Sequence, residues 1–437
     1  MRIAMIGTGY VGLVSGACLA DFGHHVTCVD QDSAKIKALE AGIMPIWEPG
    51  LEALVKANVA HRRLEFTTDL GAGIAGAEAV FIAVGTPSRR GDGHADLTFV
   101  YAAVRELAPL IAPGAVVVTK STVPVGTGDT IETLLRETRP DVEFAVVSNP
   151  EFLREGAAIV DFKRPDRVII GVDDDNGGER ARAVMREVYR PLELVETPIV
   201  FTGRRTAELT KYAANAFLAT KITFINEIAD LCEAVGADVR DVARGIGLDR
   251  RIGAKFLNAG PGHGGSCFPK DTLALLKTAE DFDSPIRIVE AVVTANDARK
   301  RRMGRKVIAA LVGEPRGKTV AVLGLTFKPN TDDMRDAPSI AIVQSLIDAG
   351  VRVRAFDPEG MAAAEPMMPE VTFCADAYDA ANGADAVAIV TEWDVFRALD
   401  LKRLAAAMAH PVLVDLRNIC DRAEAERAGF AYSAVGR

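Results

Sequence analysis

The sequence predicts an α/β protein with two doubly wound, Rossmann-like domains joined by a central segment of long helices. Short apolar runs alternate with helical patterns over residues 1–202, and the same alternation returns over residues 313–437. Between them, residues 203–312 carry long helical patterns. Alternation of this kind is typical of parallel sheets with helices on both faces. We therefore expect three domains with these boundaries.

Composition excludes several classes of function. The chain has 437 residues, of which 49% are hydrophobic and 25% charged, and a formal net charge of −9, which argues against general binding of nucleic acid or anionic membranes. Since no apolar run reaches the ~18–20 residues of a membrane span and the first residues lack a leader pattern, we expect a cytoplasmic protein. Six scattered cysteines without CxxC spacing indicate reduced thiols rather than disulfides or a zinc site, and we predict no metal.

The first strand leads directly into a glycine pattern, GTGYVG, at residues 7–12. Gly7 suits a tight turn, Gly9 lets the backbone approach a pyrophosphate, and Gly12 lets the following helix pack closely. The next predicted strand ends in Asp30, close to the ~20-residue spacing expected of a carboxylate that binds a ribose 2′-hydroxyl. A carboxylate there repels a 2′-phosphate, so the pattern favours NAD over NADP.

Further apolar runs predict buried strands, at residues 79–87, 115–124, 144–156, 167–172 and 195–201. The first three run into polar or turn residues. In a parallel sheet such carboxyl ends line the ligand crevice. The segment SRRGDGHA (88–95) is expected to be a mobile surface loop.

Two long helices are predicted in the central segment, over residues 206–236 and about 285–311. Lys211 and Asn215 lie four residues apart and share one helical face. Because Lys211 stands in a stretch rich in Ala, Phe, Leu and Ile, we expect it in a buried or cleft position. The basic cluster 299–302 is expected to be a solvated face. A long helix of this kind suits subunit pairing.

A second glycine-rich stretch, FLNAGPGHGGSCFPKD (256–271), surrounds Cys267. Glycines allow backbone N–H groups to approach a ligand, and a cysteine near Lys270 can be held partly as the nucleophilic thiolate. The alternative is a glycine-rich loop with an inert thiol. The C-terminal α/β unit lacks the glycine fingerprint, and Lys328 and Arg335 in its first turn are candidate phosphate contacts.

Six motifs occur in order along the chain: GTGYVG, STVPVGT, NPEFLREG, Lys211-x-x-x-Asn215, GGSCFPKD and FKPNTDDMRDAPS. With them the chain resembles, over essentially its whole length, the UDP-glucose 6-dehydrogenases of the UDP-glucose/GDP-mannose dehydrogenase family. The resemblance implies an NAD-binding domain over 1–202, a central domain over 203–312 that pairs subunits and carries catalytic residues, and a UDP-sugar-binding domain over 313–437. One departure is His263, where the family often has another aromatic residue.

The resemblance also implies the residues of the site. Catalytic roles fall on Cys267, Lys211, Asn215, Asp271, Glu151 and Thr122. Cofactor contacts fall on Gly7, Gly9, Val11, Gly12, Asp30, Lys35, Thr86, Thr122, Glu155, Lys270 and Arg335. Substrate contacts fall on Glu151, Phe152, Leu153, Arg154, Glu155, Lys211, Asn215, Arg251, Phe256, Leu257, Asn258, Ala259, Gly260, Gly264 and Lys328. Of these, Arg251 matches an arginine that reaches the sugar from a neighbouring subunit of a homodimer or larger homo-oligomer.

The implied reaction oxidises the C6 alcohol of UDP-glucose to UDP-glucuronate, a precursor for polysaccharides. It uses two NAD⁺ and water, and it passes through a thiohemiacetal and a thioester on Cys267. Alternatives remain: another nucleotide-sugar dehydrogenase acting on GDP-mannose or a UDP-N-acetylhexosamine, a two-electron hydroxyacid dehydrogenase with a structural Cys267, or a non-catalytic NAD-binding protein.

Overall fold

The chain divides into two compact units that each contain one sheet. The structure, a computed structural model, describes residues 1–89, 93–173 and 177–437. The first unit comprises Met1–Ala214 with Glu280–Phe282, and the second comprises Asn215–Ala279 with Asp283–Arg437. Part of the loop predicted over 88–95, residues 90–92, lies outside the described residues.

Strands of the first unit form one sheet: β1 (Arg2–Ile6), β2 (His25–Val29), β3 (Leu64–Thr67), β4 (Ala79–Ile82), β5 (Ala115–Thr119), β6 (Phe144–Ser148), β7 (Val168–Gly171) and β8 (Ile199–Thr202). Their order is β3-β2-β1-β4-β5-β6-β7-β8. Neighbouring strands run parallel, except that β6 and β7 pair antiparallel. The strand order reverses between β1 and β4, which is where doubly wound sheets bind ligands.

Helices cover both faces of this sheet: α1 (Tyr10–Asp21), α2 (Ser33–Glu40), α3 (Leu51–Ala60), α4 (Leu70–Ile74), α5 (Thr98–Leu107), α6 (Thr127–Thr138), α7 (Ala158–Lys163) and α8 (Gly178–Glu193). Successive side chains of a strand point to opposite faces. Accordingly Ile3 and Met5 of β1 join one apolar core, and Ala4 and Ile6 join another. Burial on both faces explains why these strands are continuous apolar runs.

The long helix α9 (Arg204–Val235) contains the boundary between the units. Further helices of the second part of the chain are α10 (Val239–Gly247), α11 (Phe268–Asp281), α12 (Arg287–Ala310), α13 (Pro338–Asp348), α14 (Met361–Ala364), α15 (Ala377–Ala381), α16 (Asp394–Arg397), α17 (Leu401–Ala407) and α18 (Arg422–Arg427). None of the helices in the part of the chain that the structure describes has the length and apolar character needed to cross a membrane.

The second sheet has six strands and repeats the order of the first six strands of the first sheet. Its strands are β9 (Thr319–Leu323), β10 (Arg352–Phe356), β11 (Thr372–Phe373), β12 (Ala386–Ile389), β13 (Val412–Asp415) and β14 (Ala431–Ala434). They are ordered β11-β10-β9-β12-β13-β14 and all run parallel. Val320 and Val322 of β9 face one core, and Ala321 and Leu323 face another. The predicted fold class, with two Rossmann-like sheets and central long helices, is confirmed.

A buried carboxylate closes the turn after β9. Gly324 takes a φ of +91°, and its N–H donates to Phe356 O at 2.9 Å. Asp357, fully buried at the end of β10, accepts from the N–H and Oγ1 of Thr326 and from the indole Nε1 of Trp393. Asp357 thus holds this turn through several protein donors, in a segment that lacks the glycine fingerprint of the first sheet.

Candidate active site

The fingerprint glycines at the start of α1 have distinct steric requirements. Gly7 adopts a φ of +101°, and a Cβ there would meet Ala83 O at 2.7 Å. A Cβ on Gly12 would lie 1.9 Å from Gly7 O, so only glycine allows this helix to pack against the turn. Gly9, by contrast, has open space where its Cβ would stand. An open backbone at a helix N-terminus fits the phosphates of a dinucleotide, and Val11 lies in the same first turn.

Asp30 closes this turn from the end of β2. Its Oδ2 accepts from the N–H of Thr8 at 2.9 Å, from Thr8 Oγ1 at 2.7 Å and from Lys35 Nζ at 3.1 Å. Burial opposes ionisation of Asp30, but these hydrogen bonds and one from the N–H of Asp32 outweigh it and lower its pKa. Asp30 is therefore held as a carboxylate, the form that accepts hydrogen bonds from ribose hydroxyls and repels a 2′-phosphate.

The ends of β4 and β5 are tied to each other. Thr86 Oγ1 donates to Thr122 O at 2.9 Å, and Ser121 Oγ donates to Val84 O at 2.7 Å. Both segments follow strands next to the reversal of strand order. The structure thus brings Thr86 and Thr122, two residues predicted for the site, to the crevice that this topology creates.

A buried ion pair joins the loop after β6 to α9. Lys211 Nζ donates to Glu151 Oε1 at 3.0 Å, and the two side chains are only 3% and 5% exposed. The other carboxylate oxygen of Glu151 accepts from Leu153 N at 2.5 Å. Burial opposes ionisation of Glu151, yet the charge of Lys211 and these hydrogen bonds keep its pKa below the ordinary value. Lys211 is buried, as its apolar sequence context indicates.

The next residues of this loop differ in position: Phe152 lies near the buried pair, and Arg154 lies at the surface. The Phe152 ring lies 5.3 Å from Lys211 Nζ. Arg154 turns away, because its exposed guanidinium binds Asp161 through two hydrogen bonds. The structure therefore does not bring the Arg154 side chain to the Glu151–Lys211 pair.

Glu48, which the sequence reasoning missed, anchors the loop that contains Glu155. It is buried, and it accepts hydrogen bonds from Tyr10 OH, from Gly156 N and from Ala158 N. Because Tyr10 opens α1, one carboxylate connects the first turn of this helix to the loop between β6 and α7. The glutamate of the PIWEPG stretch, beside aromatic and proline residues, was the available signal.

Lys120 was also missed. It directly follows β5 and is buried, with its Nζ donating to Asn149 Oδ1 and to Tyr189 OH, both at 3.1 Å. Burial lowers the pKa of Lys120 to about 8, with Glu151 acting in the opposite direction. A lysine directly after the buried strand AVVVT was the available sequence signal.

The second unit contains the thiol and a buried carboxylate on adjacent turns. Cys267 immediately precedes α11, and its Sγ lies 3.4 Å from Ser266 Oγ. One turn later Asp271, 1% exposed, accepts from Asn215 Nδ2 at 2.6 Å and from Lys270 Nζ at 2.5 Å. A helix N-terminus stabilises negative charge, which suits a thiolate there. The structure brings these predicted residues of the second unit together.

The loop before the thiol is held by hydrogen bonds to side chains of α9 and α12. Gly260 N donates to Asn226 Oδ1, and Gly260 O accepts from Arg299 Nε. Asn296 is bonded both ways to the backbone of His263. The prediction that residues 299–302 form a solvated face is therefore wrong for Arg299 and Lys300, which are buried. Arg299 is buried because it supports this loop and pairs with Asp230 of α9.

The two glycines before the thiol pack against the turn after β9. A Cβ on Gly264 would lie 2.2 Å from Asp336 O, and Gly265, at a φ of +83°, would place one 2.7 Å from the Phe327 ring. Gly265 N also donates to Arg335 O at 2.8 Å. The glycine pattern thus has a packing cause beyond the ligand approach that the sequence suggests.

The other residues predicted for substrate or cofactor occupy varied settings. Within 256–259, Leu257 and Ala259 are buried and Asn258 is exposed, while Phe256 has a φ of +65°. Lys328 Nζ lies 5.2 Å from the centre of its neighbouring Phe327 ring. The Arg335 guanidinium binds Asp333 and is largely exposed.

Arg251 is the outlier among them. Its side chain is 88% exposed and pairs with Asp249, two residues earlier in the chain. The structure does not bring it to the other predicted residues. An exposed position is compatible with the predicted reach into a neighbouring subunit, which stays a prediction.

Each unit thus offers its own chemistry. The first offers the GTGYVG turn, the Asp30 carboxylate and a buried lysine–glutamate pair, and the second offers a thiol with a buried aspartate–asparagine pair. Charged hydrogen-bonding groups removed from water can stabilise developing charge strongly. Nowhere in the described ranges do three or more His, Cys, Asp or Glu side chains group in a way that could hold a metal ion.

Comparisons with known proteins cover the whole chain. Models of the UDP-glucose/GDP-mannose dehydrogenase family match its NAD binding domain to residues 1–193, its central domain to 205–298 and its UDP binding domain to 321–422. The chain is 65% identical over 437 residues, the full length of both proteins, to the UDP-glucose 6-dehydrogenase of Rhizobium meliloti (strain 1021).

Solved structures agree. A UDP-glucose dehydrogenase from the archaeon Pyrobaculum islandicum is 38% identical with a TM-score of 0.90, over 99% of this chain and 96% of that one. A UDP-D-ManNAc dehydrogenase from Pyrococcus horikoshii is 27% identical with a TM-score of 0.86, over 100% and 99%. With all three domains matched and full-length identity of this order, the chain belongs to the UDP-glucose/GDP-mannose dehydrogenase family of NAD-dependent enzymes.

Proposed function

We propose that this protein oxidises the C6 alcohol of UDP-glucose to the carboxylate of UDP-glucuronate, with two NAD⁺ and one water consumed per sugar. The observation that carries the proposal is Cys267 at the start of α11, one turn from the buried Asp271–Asn215 pair. A thiol so placed can hold an aldehyde covalently between two oxidations. The 65% identity to a protein named UDP-glucose 6-dehydrogenase favours glucose as the sugar.

The cofactor would bind at the fingerprint turn. Gly9 leaves room for the pyrophosphate, and Asp30 and Lys35 stand where the adenosine ribose would lie. We assign Val11, Thr86, Thr122, Glu155, Lys270 and Arg335 as further contacts. When bound there, NAD⁺ would supply the hydride acceptor for each oxidation.

In the first oxidation the C6 alcohol loses a hydride and its hydroxyl proton, giving an aldehyde. We propose that a water molecule held by Lys211, Asn215 and Asp271 accepts the proton. The ammonium of Lys211 and the amide of Asn215 stabilise the oxyanion, since both are buried donors. These two side chains stand on successive turns of α9.

In the second half, the Cys267 thiolate adds to the aldehyde carbon and forms a thiohemiacetal. Loss of a second hydride and the hydroxyl proton leaves a thioester. Water, activated by Glu151 and Asp271 and placed by Thr122, then attacks the acyl carbon, and the C–S bond breaks to release the carboxylate and the thiol. The covalent link keeps the aldehyde from escaping.

We assign the UDP-sugar to the remaining predicted residues: Phe152, Leu153, Arg154, Phe256, Leu257, Asn258, Ala259, Gly260, Gly264, Lys328 and, from a neighbouring subunit, Arg251. For Arg154, whose guanidinium pairs with Asp161, the assignment rests on the NPEFLREG motif. A protein of this kind would supply UDP-glucuronate for polysaccharide synthesis.

The test is the number of NADH formed per UDP-glucose, taken to completion. We expect two. One NADH would indicate a two-electron dehydrogenase, and no turnover with UDP-glucose would lead to GDP-mannose and UDP-N-acetylhexosamines as substrates. Cofactor binding without turnover of any of them would indicate a binding protein.

The covalent step is tested by Cys267→Ser. Because an alcohol replaces the thiolate nucleophile, we expect UDP-glucuronate formation to fall by about 10³-fold or more. Cys420→Ser is the matched control, as Cys420 is a partly buried thiol of the same unit whose pKa is raised to about 12 by burial and Asp415. Wild-type rates in the Cys267 variant would refute the thioester route.

A further inference from the structure

Lys120 is a buried cation without a role in the proposed reaction. Its Nζ has two hydrogen-bond acceptors, Asn149 Oδ1 and Tyr189 OH, each at 3.1 Å. The rings of Phe162 and Tyr189 lie 5.8 and 5.7 Å from it. Neither acceptor carries a formal charge, so these hydrogen bonds do not neutralise the ammonium. An ammonium in such a place is costly unless other charges compensate.

The surroundings of Lys120 lead directly to the reactive loop. Asn149 stands two residues before Glu151, and its Nδ2 donates to Ile169 O at 2.7 Å. Tyr189 OH donates to the same Asn149 Oδ1 at 2.5 Å. Lys120, directly after β5, therefore holds the start of the loop that carries Glu151 through its hydrogen bond to Asn149.

Charge provides a second link. Burial disfavours the protonated form of Lys120, Glu151 favours it, and Lys211 disfavours it. Electrostatic coupling is mutual. The charge of Lys120 must therefore favour ionised Glu151 and ease proton loss from Lys211. Two ammonium groups and one carboxylate thus form a buried cluster. Within the described residues, Tyr189 is the other titratable group that contacts Lys120.

We infer that Lys120 is a positioning residue that sets the charge state of the Glu151–Lys211 pair during the oxidation. Its kinetic consequence rests on the proposed function, but its electrostatic effect on Glu151 exists without substrate. This difference allows the two proposals to fail separately.

The kinetic test compares Lys120→Met, which removes the charge and keeps the length, with Lys120→Arg, which keeps the charge. For Lys120→Met we expect kcat to fall about tenfold near pH 6.5, with the deficit closing by about pH 9.5, where wild-type Lys120 has lost its own proton. Lys120→Arg should retain the wild-type rate below about pH 8 within a few-fold. A deficit of constant size at every pH would indicate a merely structural role and overturn the inference.

The substrate-free test follows the Glu151 carboxyl carbon by ¹³C NMR in protein labelled at glutamate Cδ, with the signal assigned by its loss in Glu151→Gln. We expect Lys120→Met to raise the titration midpoint of Glu151 by about one unit, because a nearby positive charge is lost. An unchanged midpoint overturns the inference. A raised midpoint in a protein that does not form two NADH per UDP-glucose supports the inference and rejects the proposed function alone.

Discussion

At the residue scale, the sequence indicates buried charges only where their context is unusual. Lys211 could be predicted to be buried, because it stands in an apolar helix. Arg299 could not, because its cluster of four basic residues is typical of a solvated helix face. Its burial depends on the carbonyls of Gly260 and Asn226, which approach from distant parts of the chain. Only the folded chain brings such partners together.

His263 gives a prediction at this scale. Neither of its ring nitrogens has a hydrogen-bond partner within the described residues, and the ring packs edge-on against Phe268. Burial, with a smaller effect of Lys300, lowers the pKa of His263 to about 3. The unfolded chain therefore binds one more proton than the folded chain between about pH 3 and 6.5, and stability falls as pH drops below 6.5.

We expect His263→Phe to remove this loss. Relative to wild type, the variant should gain roughly 2–3 kcal/mol in free energy of unfolding between pH 7 and pH 4.5. Urea unfolding at several pH values measures the difference. His61→Gln, a change at an exposed histidine, serves as the control and should leave the pH dependence as it is. Parallel curves for wild type and His263→Phe would refute the prediction.

At the element scale, periodicity predicted the long helices to within a few residues. It also predicted where β4, β5 and β6 begin, but the predicted strands over 79–87, 115–124 and 144–156 are too long, because the observed strands end at Ile82, Thr119 and Ser148 and the chain then enters loops. The helix predicted over 206–236 is α9 (Arg204–Val235), and the one over 285–311 is α12 (Arg287–Ala310). Periodicity does not show which residue of one element accepts the hydrogen bonds of the unpaired backbone N–H groups of another. The start of α6 shows this, because its N-cap is Gly126, which has no side chain to accept hydrogen bonds.

Glu208 of α9 supplies the missing cap. Its buried carboxylate accepts from Gly126 N at 2.7 Å, from Gly128 N at 2.8 Å and from Ser148 Oγ at 2.9 Å. Burial raises the pKa of Glu208, against the effect of these donors. Glu208→Ala would leave three donors without their acceptor, two of them buried, and we expect a loss of about 3 kcal/mol in urea unfolding.

Two further variants sharpen that measurement. Glu208→Gln keeps the shape and one acceptor oxygen, so its loss should be about half as large. Glu137→Ala, at an exposed position of α6, should change stability by less than about 0.5 kcal/mol. If Glu208→Ala behaved like Glu137→Ala, the capping role would be rejected.

At the scale of the whole molecule, strand and helix alternation predicted both sheets, while the division into three domains stays a prediction. The structure divides the chain within α9 rather than at its ends. Homo-oligomerisation also stays a prediction, and α9 offers a surface for it. Phe217, Phe224 and Leu231 recur at intervals of seven residues and are 66%, 50% and 57% exposed. Seven residues are about two helical turns, so these side chains form one apolar stripe.

We propose that a second copy of the chain covers this stripe. Phe224→Asp should then convert a dimer to a monomer, because a buried, unpaired carboxylate at an interface is strongly unfavourable. Sedimentation velocity measures the change. Leu194→Asp is the control, since Leu194 is an equally apolar exposed residue off the stripe. An unchanged sedimentation coefficient for Phe224→Asp would exclude the stripe as the interface.

The two carboxylates at the ends of β2 and β10 carry a consequence for how cofactor preference can evolve. Asp357 closes its turn through the N–H and Oγ1 of Thr326, and Asp30 does the same through the N–H and Oγ1 of Thr8. In both turns the carboxylate therefore holds the backbone. Replacing Asp30 to admit a 2′-phosphate would also remove the hydrogen bonds from Thr8, so a change of cofactor preference at this position carries a cost in the stability of the turn.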